Sequence, residues 1–249
     1  MKKLSIIIPV YNEEATLEEL VEKVIHVDLS SLWYTKQLVL VNDGSRDKSD
    51  AIIHHLIAQH SNLDIKYVQN KKNSGKGFSL KEWFKHADGD LMIVQDADME
   101  YFPEKDYLPM LQVFEAQKAD FVYGSRTLGM KKFGNNYSSQ SFLWWGLLVS
   151  WCTSILSLKK ITDEPTCYKM FDKKLKSYLL LPKENGFEWE PAVTMLLLRK
   201  GFVYREVPIH YHARSFDEGK KINWKDGIKA LRTLFKWRFK KNLKTWLYP

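Results

Sequence analysis

Cysteine is nearly absent: Cys152 and Cys167 are the only two in 249 residues, and neither sits in a C-x-x-C pair or a Cys/His cluster of zinc spacing. A disulfide framework and a sulfur-built metal site are excluded, and the usage fits a reducing cytoplasm. No low-complexity tract interrupts a composition that is 45% hydrophobic and 27% charged, which sets disorder aside. The opening MKKLSIIIPVYNEE is cut by proline and acids before a signal core can form, so it reads as a first strand. Two nucleotide-binding signatures are missing as well. No G-x-G-x-x-G follows that strand and no G-x-x-x-x-G-K-[ST] occurs, which removes the dinucleotide-binding and P-loop folds.

Apolar runs at 4–10, 37–42, 64–70, 90–95 and 120–124 alternate with segments of helical period at 15–27, 49–59, 78–86 and 105–117. Strands that are apolar without alternation, each followed by a helix, predict a parallel sheet buried on both faces. The first 125 residues therefore read as a doubly wound α/β half. Ligands in such sheets bind at the carboxyl ends of the strands. There the polar motifs fall: YNE, NDGS, NKKNSGKG, DADME and GSR, one after each strand.

In an extended segment side chains two apart share a face, so Asp96 and Asp98 point together, on either side of Ala97. Paired carboxylates repel unless a cation lies between them, and oxygen-only donors select Mg²⁺ or Mn²⁺. Glu100 is a candidate third ligand. Taken alone, the pair reads first as a chance D-x-D whose acids cap the helix after Pro103; its place at the rim of the sheet favours the metal reading. Lys76, between Gly75 and Gly77, is a candidate phosphate contact or a solvated loop lysine. His210 and His212 alternate on a strand with no third ligand nearby, which favours strand-face histidines over a metal pair.

The second half differs in texture. Ser141 to Leu158 is an 18-residue stretch without a charge, rich in tryptophan and broken by Gly, Ser, Thr and Cys. It reads as an interfacial or a core helix rather than a span. The segment 186–201 reads as a helix closed by Gly201, and 202–212 as a strand. Positive charge is concentrated at the end: net charge is +8, and from Arg199 onward 14 Lys/Arg face 4 Asp/Glu. A final helix places Trp224, Ile228, Leu231, Phe235, Phe239, Leu243 and Trp246 on one stripe, with Lys225, Lys229, Arg232, Lys236, Lys240 and Lys244 beside it. That pattern suits a membrane surface or packing on the domain. No nucleic-acid recognition motif accompanies the charge.

With PVYNEE, VNDGS, NSGKG, QDADMEY, VYGSR, TDEPTCYK and YHARSFDEGKKINWKDG in this order, the chain resembles the inverting nucleotide-sugar glycosyltransferases of family 2, within them the dolichol-phosphate (polyprenyl-phosphate) mannose or glucose synthases and their bacterial relatives. The resemblance implies a GT-A fold: a catalytic domain over 1–215, split into a nucleotide-sugar half (1–125) and a helical, partly amphipathic acceptor half (126–215), then a basic lid loop and amphipathic helix (216–249). It implies transfer of a hexose from a GDP-mannose or UDP-glucose type donor to a polyprenyl phosphate, with Mg²⁺ or Mn²⁺, peripherally on the cytoplasmic membrane face.

Carried over by residue, Pro9, Tyr11, Glu13 and Asp43 surround the base and ribose. Asp96, Asp98 and Glu100 fall at the diphosphate and its metal. Arg126 meets the acceptor phosphate or the sugar diphosphate, and Arg214 and Lys220 belong to a mobile loop over the phosphates. A lipid phosphate attacks without a general base, whereas a glycan or protein hydroxyl needs one, for which Asp163, Glu188 and Glu190 are candidates. A binding module without catalysis is the remaining alternative. Asn42 stands where the family often has aspartate, and TCYK replaces an SGFR-like ending.

Overall fold

The computed structural model describes residues 1–137, 139–214 and 224–241. The chain begins with β1 (Lys2–Val10), α1 (Leu17–His26), β2 (Tyr34–Asn42), α2 (Ser49–Gln59), β3 (Asp64–Gln69), α3 (Lys76–His86) and β4 (Leu91–Val94). All four strands pair in parallel. Ile6 to Ile8, Val39 to Val41 and Met92 to Val94 are fully withdrawn from solvent. Consecutive strand residues face opposite sides, so the sheet is buried on both faces, and this is why these runs lack alternation.

Then follow α4 (Pro103–Ala116), β5 (Phe121–Ser125), α5 (Arg126–Phe133), α6 (Gln140–Ser157), β6 (Lys169–Asp172), α7 (Lys176–Leu179), α8 (Trp189–Arg199), β7 (Tyr204–Pro208) and α9 (Trp224–Phe239). The strands form one mixed sheet in the order β3-β2-β1-β4-β6-β5-β7. Sequence order reverses at β1, which has β2 on one side and β4 on the other. The loops leaving β1 and β4 are therefore neighbours, and a crevice opens where the polar motifs lie. β6 runs antiparallel between β4 and β5. Neither it nor α5 is foreseen by the apolar pattern.

A second, smaller core joins α6, α8 and α9 through Val149, Ala192, Met195, Leu196, Leu234 and Trp237. Glu184 anchors α9, accepting from Lys236 Nζ at 2.7 Å and Trp237 Nε1 at 3.1 Å. The buried face of α9 is thus Leu234 and Trp237, while Phe235 and Phe239 of the expected stripe are exposed. Packing on the domain is therefore the role seen for its inner side, and Phe235 and Phe239 face outward. Lys220, Leu243, Lys244 and Trp246 lie outside the described residues.

β7 ends at Pro208, so His210 and His212 lie past the strand rather than on its face, His212 in an isolated bridge with Asn136. Asp106 of α4 accepts from the His210 backbone N–H at 3.0 Å and pairs with His210 Nδ1 at 2.8 Å, and the imidazole stacks on Phe133. The His212 N–H donates to the Glu100 carbonyl. Burial, against the pull of His210, pushes the Asp106 carboxyl up to about 6. Between the ordinary carboxylate range and that value the folded chain holds a proton the unfolded chain has lost. Its contribution is therefore greatest at acid pH and is lost as pH rises through about 6. Asp106→Asn should gain about 2 kcal/mol relative to the native chain on going from pH 4 to pH 7, read by urea denaturation at the two pH values.

Candidate active site

A cavity of about 440 Å³ runs from the carboxyl ends of β1, β2 and β4 to α6 and α9. It gathers Pro9, Tyr11, Glu13, Asp43, Lys76, Asp96, Ala97, Asp98, Glu100, Arg126 and Arg214 into one wall system. All but three of the expected site residues are there, Glu188, Asp163 and Lys220 being the exceptions. Asp163 lies behind Arg126 rather than on the lining, and Lys220 is outside the described residues.

Asp43 organises the cavity end beside β2. Its carboxylate accepts from Asn70 Nδ2 at 2.7 Å and from the backbone N–H groups of Ser74 and Gly75 at 3.1 Å. The loop after β3 is thereby pinned against the loop after β2. Gly75 has φ +94, and a side chain there would meet the Asn185 carbonyl at 2.5 Å; one at Gly77 would meet Trp189 Cβ at 2.5 Å. The two glycines let the start of α3 approach the turn before α8, which carries Lys76 inward.

There Lys76 Nζ meets Asp96 Oδ1 at 2.9 Å and Glu190 Oε1 at 3.1 Å. Burial opposes the charge on both partners, but the pairing prevails: Lys76 is held well above its ordinary range and Asp96 below its own. The solvated-lysine alternative is thus set aside, and Glu190 emerges as a partner of Lys76.

Asp98 is different. Burial first, then the charges of Asp96 and Glu100, push its carboxyl up to about 7, against Arg214, whose Nη2 donates to Asp98 Oδ2 at 2.8 Å. Arg214 Nη1 also reaches Glu13 Oε2 at 3.3 Å. Glu13 and Asp98 thus share one arginine.

Met99, at φ +60, breaks the extended alternation after Asp98, so Glu100 does not continue the face of the two aspartates. Its carboxylate instead accepts from Tyr211 Oη at 2.8 Å and the Arg214 N–H at 2.9 Å. Among the described residues no three Asp, Glu, His or Cys side chains converge as a ligand set. The residues nevertheless suit Mg²⁺ or Mn²⁺. Two hard carboxylates are held in a crowd of like charge that raises Asp98, and such ions take one or two carboxylates and complete their shell with phosphate oxygens and water.

Arg126 opens α5 with its guanidinium fixed. Nε and Nη2 donate to the two Asp163 oxygens, each at 2.8 Å, the backbone N–H adds a third bond at 2.8 Å, and Nη2 reaches the Pro165 carbonyl at 3.0 Å. Burial disfavours the charge, but Asp163 more than restores it. The Tyr211 ring lies 5.1 Å beneath the guanidinium. Asp163 is buried and takes three donors from this one arginine, so it positions Arg126. Glu188 folds back on the Gly186 N–H at 3.2 Å and is absent from the lining.

Beyond Arg126 the wall is largely apolar, with Phe142, Trp145 and Val149 from α6, Pro191 from α8 and Ala230 from α9, and with Asp226 of α9 as an acid among them. Sequence reasoning missed this wall because its residues come from three distant helices. It also missed Glu164, which lines the cavity beside Glu190.

A doubly wound sheet with an antiparallel insertion, and an acidic pair and a cationic set at its switch point, defines a GT-A glycosyltransferase. The chain belongs to glycosyl transferase family 2, whose model matches residues 5–179. It is 36% identical over 126 residues to the undecaprenyl-phosphate 4-deoxy-4-formamido-L-arabinose transferase of Proteus mirabilis, over 51% of this chain and 37% of that protein. The same-named protein of Salmonella choleraesuis is 26% identical over 222 residues, or 88% of this chain and 63% of the other. The chain thus spans well under two thirds of the first of these relatives. In fold it is similar to glucosyl-3-phosphoglycerate synthase of Mycobacterium tuberculosis in complex with Mn²⁺, UDP-Glc and phosphoglyceric acid, at TM-score 0.64 and 15% identity over 95% of this chain and 80% of that one. A Pyrobaculum calidifontis mannosyltransferase in complex with GDP-Man and Mn²⁺ gives 0.57 and 15% over 83% and 55%.

Proposed function

We propose that the chain transfers a hexose from a nucleotide sugar, with inversion, to a polyprenyl phosphate presented at the cytoplasmic membrane face. The observation that carries this reading is the single cavity: acids and cations at the sheet end, an apolar wall at the helical end. A phosphate attached to an isoprenoid needs both ends, whereas a glycan hydroxyl gives the apolar wall no task. The names of the Proteus and Salmonella relatives support the same acceptor class.

In this reading Asp96 and Asp98 would hold a Mg²⁺ or Mn²⁺ ion, which when bound supplies Lewis-acid stabilisation of the leaving diphosphate. Arg214, set between Asp98 and Glu13, brings a second positive charge to the same oxygens. Charge develops on the diphosphate in the transition state, so fixed cations there favour it over the ground state. Arg126, held by Asp163 at the border of the apolar wall, orients the acceptor phosphate by charge-assisted hydrogen bonds. An ionised phosphate oxygen then attacks the anomeric carbon with no proton to remove, and no general base is required.

Membrane contact is supported by the outer face of α6. Trp144, Leu148, Trp151, Ile155 and Leu158 recur at spacings of three and four, and all are exposed. Lys159 and Lys160 at its end and Lys131 and Lys132 at the end of α5 are exposed as well. No helix among the described residues is long and apolar enough to cross a membrane. An apolar stripe with flanking cations suits the interface plane of an anionic bilayer. Trp144→Ser with Trp151→Ser should lower co-sedimentation with anionic vesicles by on the order of tenfold without a change in melting temperature.

The function is tested by incubating the chain with UDP- and GDP-sugars, Mg²⁺ or Mn²⁺ and a polyprenyl phosphate, with mass analysis of the lipid fraction. A lipid-linked sugar is expected with one donor class. Its absence with every donor overturns the acceptor assignment.

A further inference from the structure

We infer that Glu164 forms the hexose subsite of this cavity, its carboxyl taking a hydroxyl of the sugar being transferred. The assignment deepens the nucleotide-sugar reading above and rests on it. Glu164 is 1% exposed and lines the cavity. Its backbone is held from two sides: the N–H donates to Ser150 Oγ of α6 at 2.9 Å, and the carbonyl accepts from Lys169 Nζ at 2.8 Å. Its Oε1 lies 3.0 Å from Thr194 Oγ1 of α8, whose one proton is shared with the Glu190 carbonyl, also at 3.0 Å. Its Oε2 has no partner among the described residues. A buried carboxyl oxygen without a donor is rare in folded chains because it is costly. A rigidly mounted one on a ligand cavity is suited to a ligand that brings the donor with it.

The neighbouring charges decide which ligand. Glu190, the next acid along, is tied to Lys76 and through it to Asp96, so Glu164 stands one step past the diphosphate anchor. The cations that would receive phosphate, Arg126 and Arg214, are committed to Asp163 and to Asp98 with Glu13. An acid here repels both the diphosphate and an acceptor phosphate. A neutral polyol is not repelled, and its hydroxyls donate to carboxyl oxygens. Burial, reinforced by Glu190 and opposed by Lys169, pushes Glu164 up to about 7, so it accepts, or in its protonated form donates, at neutral pH. A donor lacking the matching hydroxyl would leave this oxygen unpaired, which is how a polar subsite discriminates strongly.

The test reads donor binding alone, by calorimetric titration in Mg²⁺ of the native chain, Glu164→Leu and Glu164→Gln with UDP, GDP, UDP-glucose, UDP-galactose and GDP-mannose. The native chain should bind one nucleotide sugar more tightly than its bare nucleotide. Glu164→Leu should weaken that nucleotide sugar by at least about tenfold while leaving the bare nucleotide within about twofold. Its melting temperature should equal or exceed the native value, since the unpartnered oxygen is gone. The isosteric Glu164→Gln carries the same comparison if the leucine variant does not fold. Equal weakening of nucleotide and nucleotide sugar, an unchanged order of donors, or a native chain that gains nothing from the sugar would each overturn the subsite. No acceptor is present, so failure to form a lipid-linked product in the transfer assay is a separate result and leaves this one standing.

Discussion

Asp98→Asn is expected to lower kcat by about 10³-fold with whichever donor and acceptor the chain uses, while its melting temperature stays at or above that of the native chain. The two effects have one origin. Asp98 is buried beside Asp96 and Glu100 and is pushed up to about 7, so the ionised form is held in place at a cost to the fold, with Arg214 as its hydrogen-bonded counter-charge. Asparagine keeps the size of the side chain and an oxygen for Arg214, and it removes the crowded charge. What it removes from catalysis is one of the two anionic donors that would hold the divalent ion at the diphosphate. Steady-state kinetics paired with differential scanning calorimetry checks both halves. Activity within tenfold of the native chain would sink the assignment, and a fall of many degrees would make Asp98 a folding residue instead.

The parallel half of the fold was legible because its signal is local. Ile6 to Ile8 and Val39 to Val41 are buried on both faces, and a continuous apolar run states this directly. β6 was not legible, since it opens with Lys169, a charge inside a buried strand. Only the folded chain supplies its acceptors, the carbonyls of Glu164 and Thr166 at 2.8 and 2.5 Å. The candidate site divides in the same way. Tyr11, Asp43, Asp96 and Asp98 belong to motifs at strand ends, and they line the cavity together with Pro9, which only the family resemblance pointed to. What each touches did not follow, because the partners are distant in sequence: Lys76 with Glu190, Glu13 with Arg214, Arg126 with Asp163. Glu100 shows the limit of periodicity, as one left-handed residue, Met99, was enough to send it to Tyr211.

Asp163→Ala is expected to destabilise the chain by about 3–5 kcal/mol and to raise the KM for a phosphate acceptor, because it strands the Arg126 guanidinium in a buried site without its counter-charge. A hydroxyl acceptor with Asp163 as base leads elsewhere. Asp163→Asn would then lower kcat by roughly 10²–10⁴-fold while donor binding and melting temperature stay native. The geometry favours the first outcome, since both carboxylate oxygens are already engaged by Arg126 and the side chain is away from the cavity lining. A double-variant cycle separates loss of packing from loss of the pair. Asp163→Ala with Arg126→Ala removes the stranded charge and should be more stable than Asp163→Ala alone by more than about 1 kcal/mol. Recovery of stability without recovery of transfer would place Arg126 at the acceptor phosphate and Asp163 behind it. If the double variant is instead the less stable of the two, the pair is not an ionic unit, and the argument that frees this reaction from a general base loses its structural support.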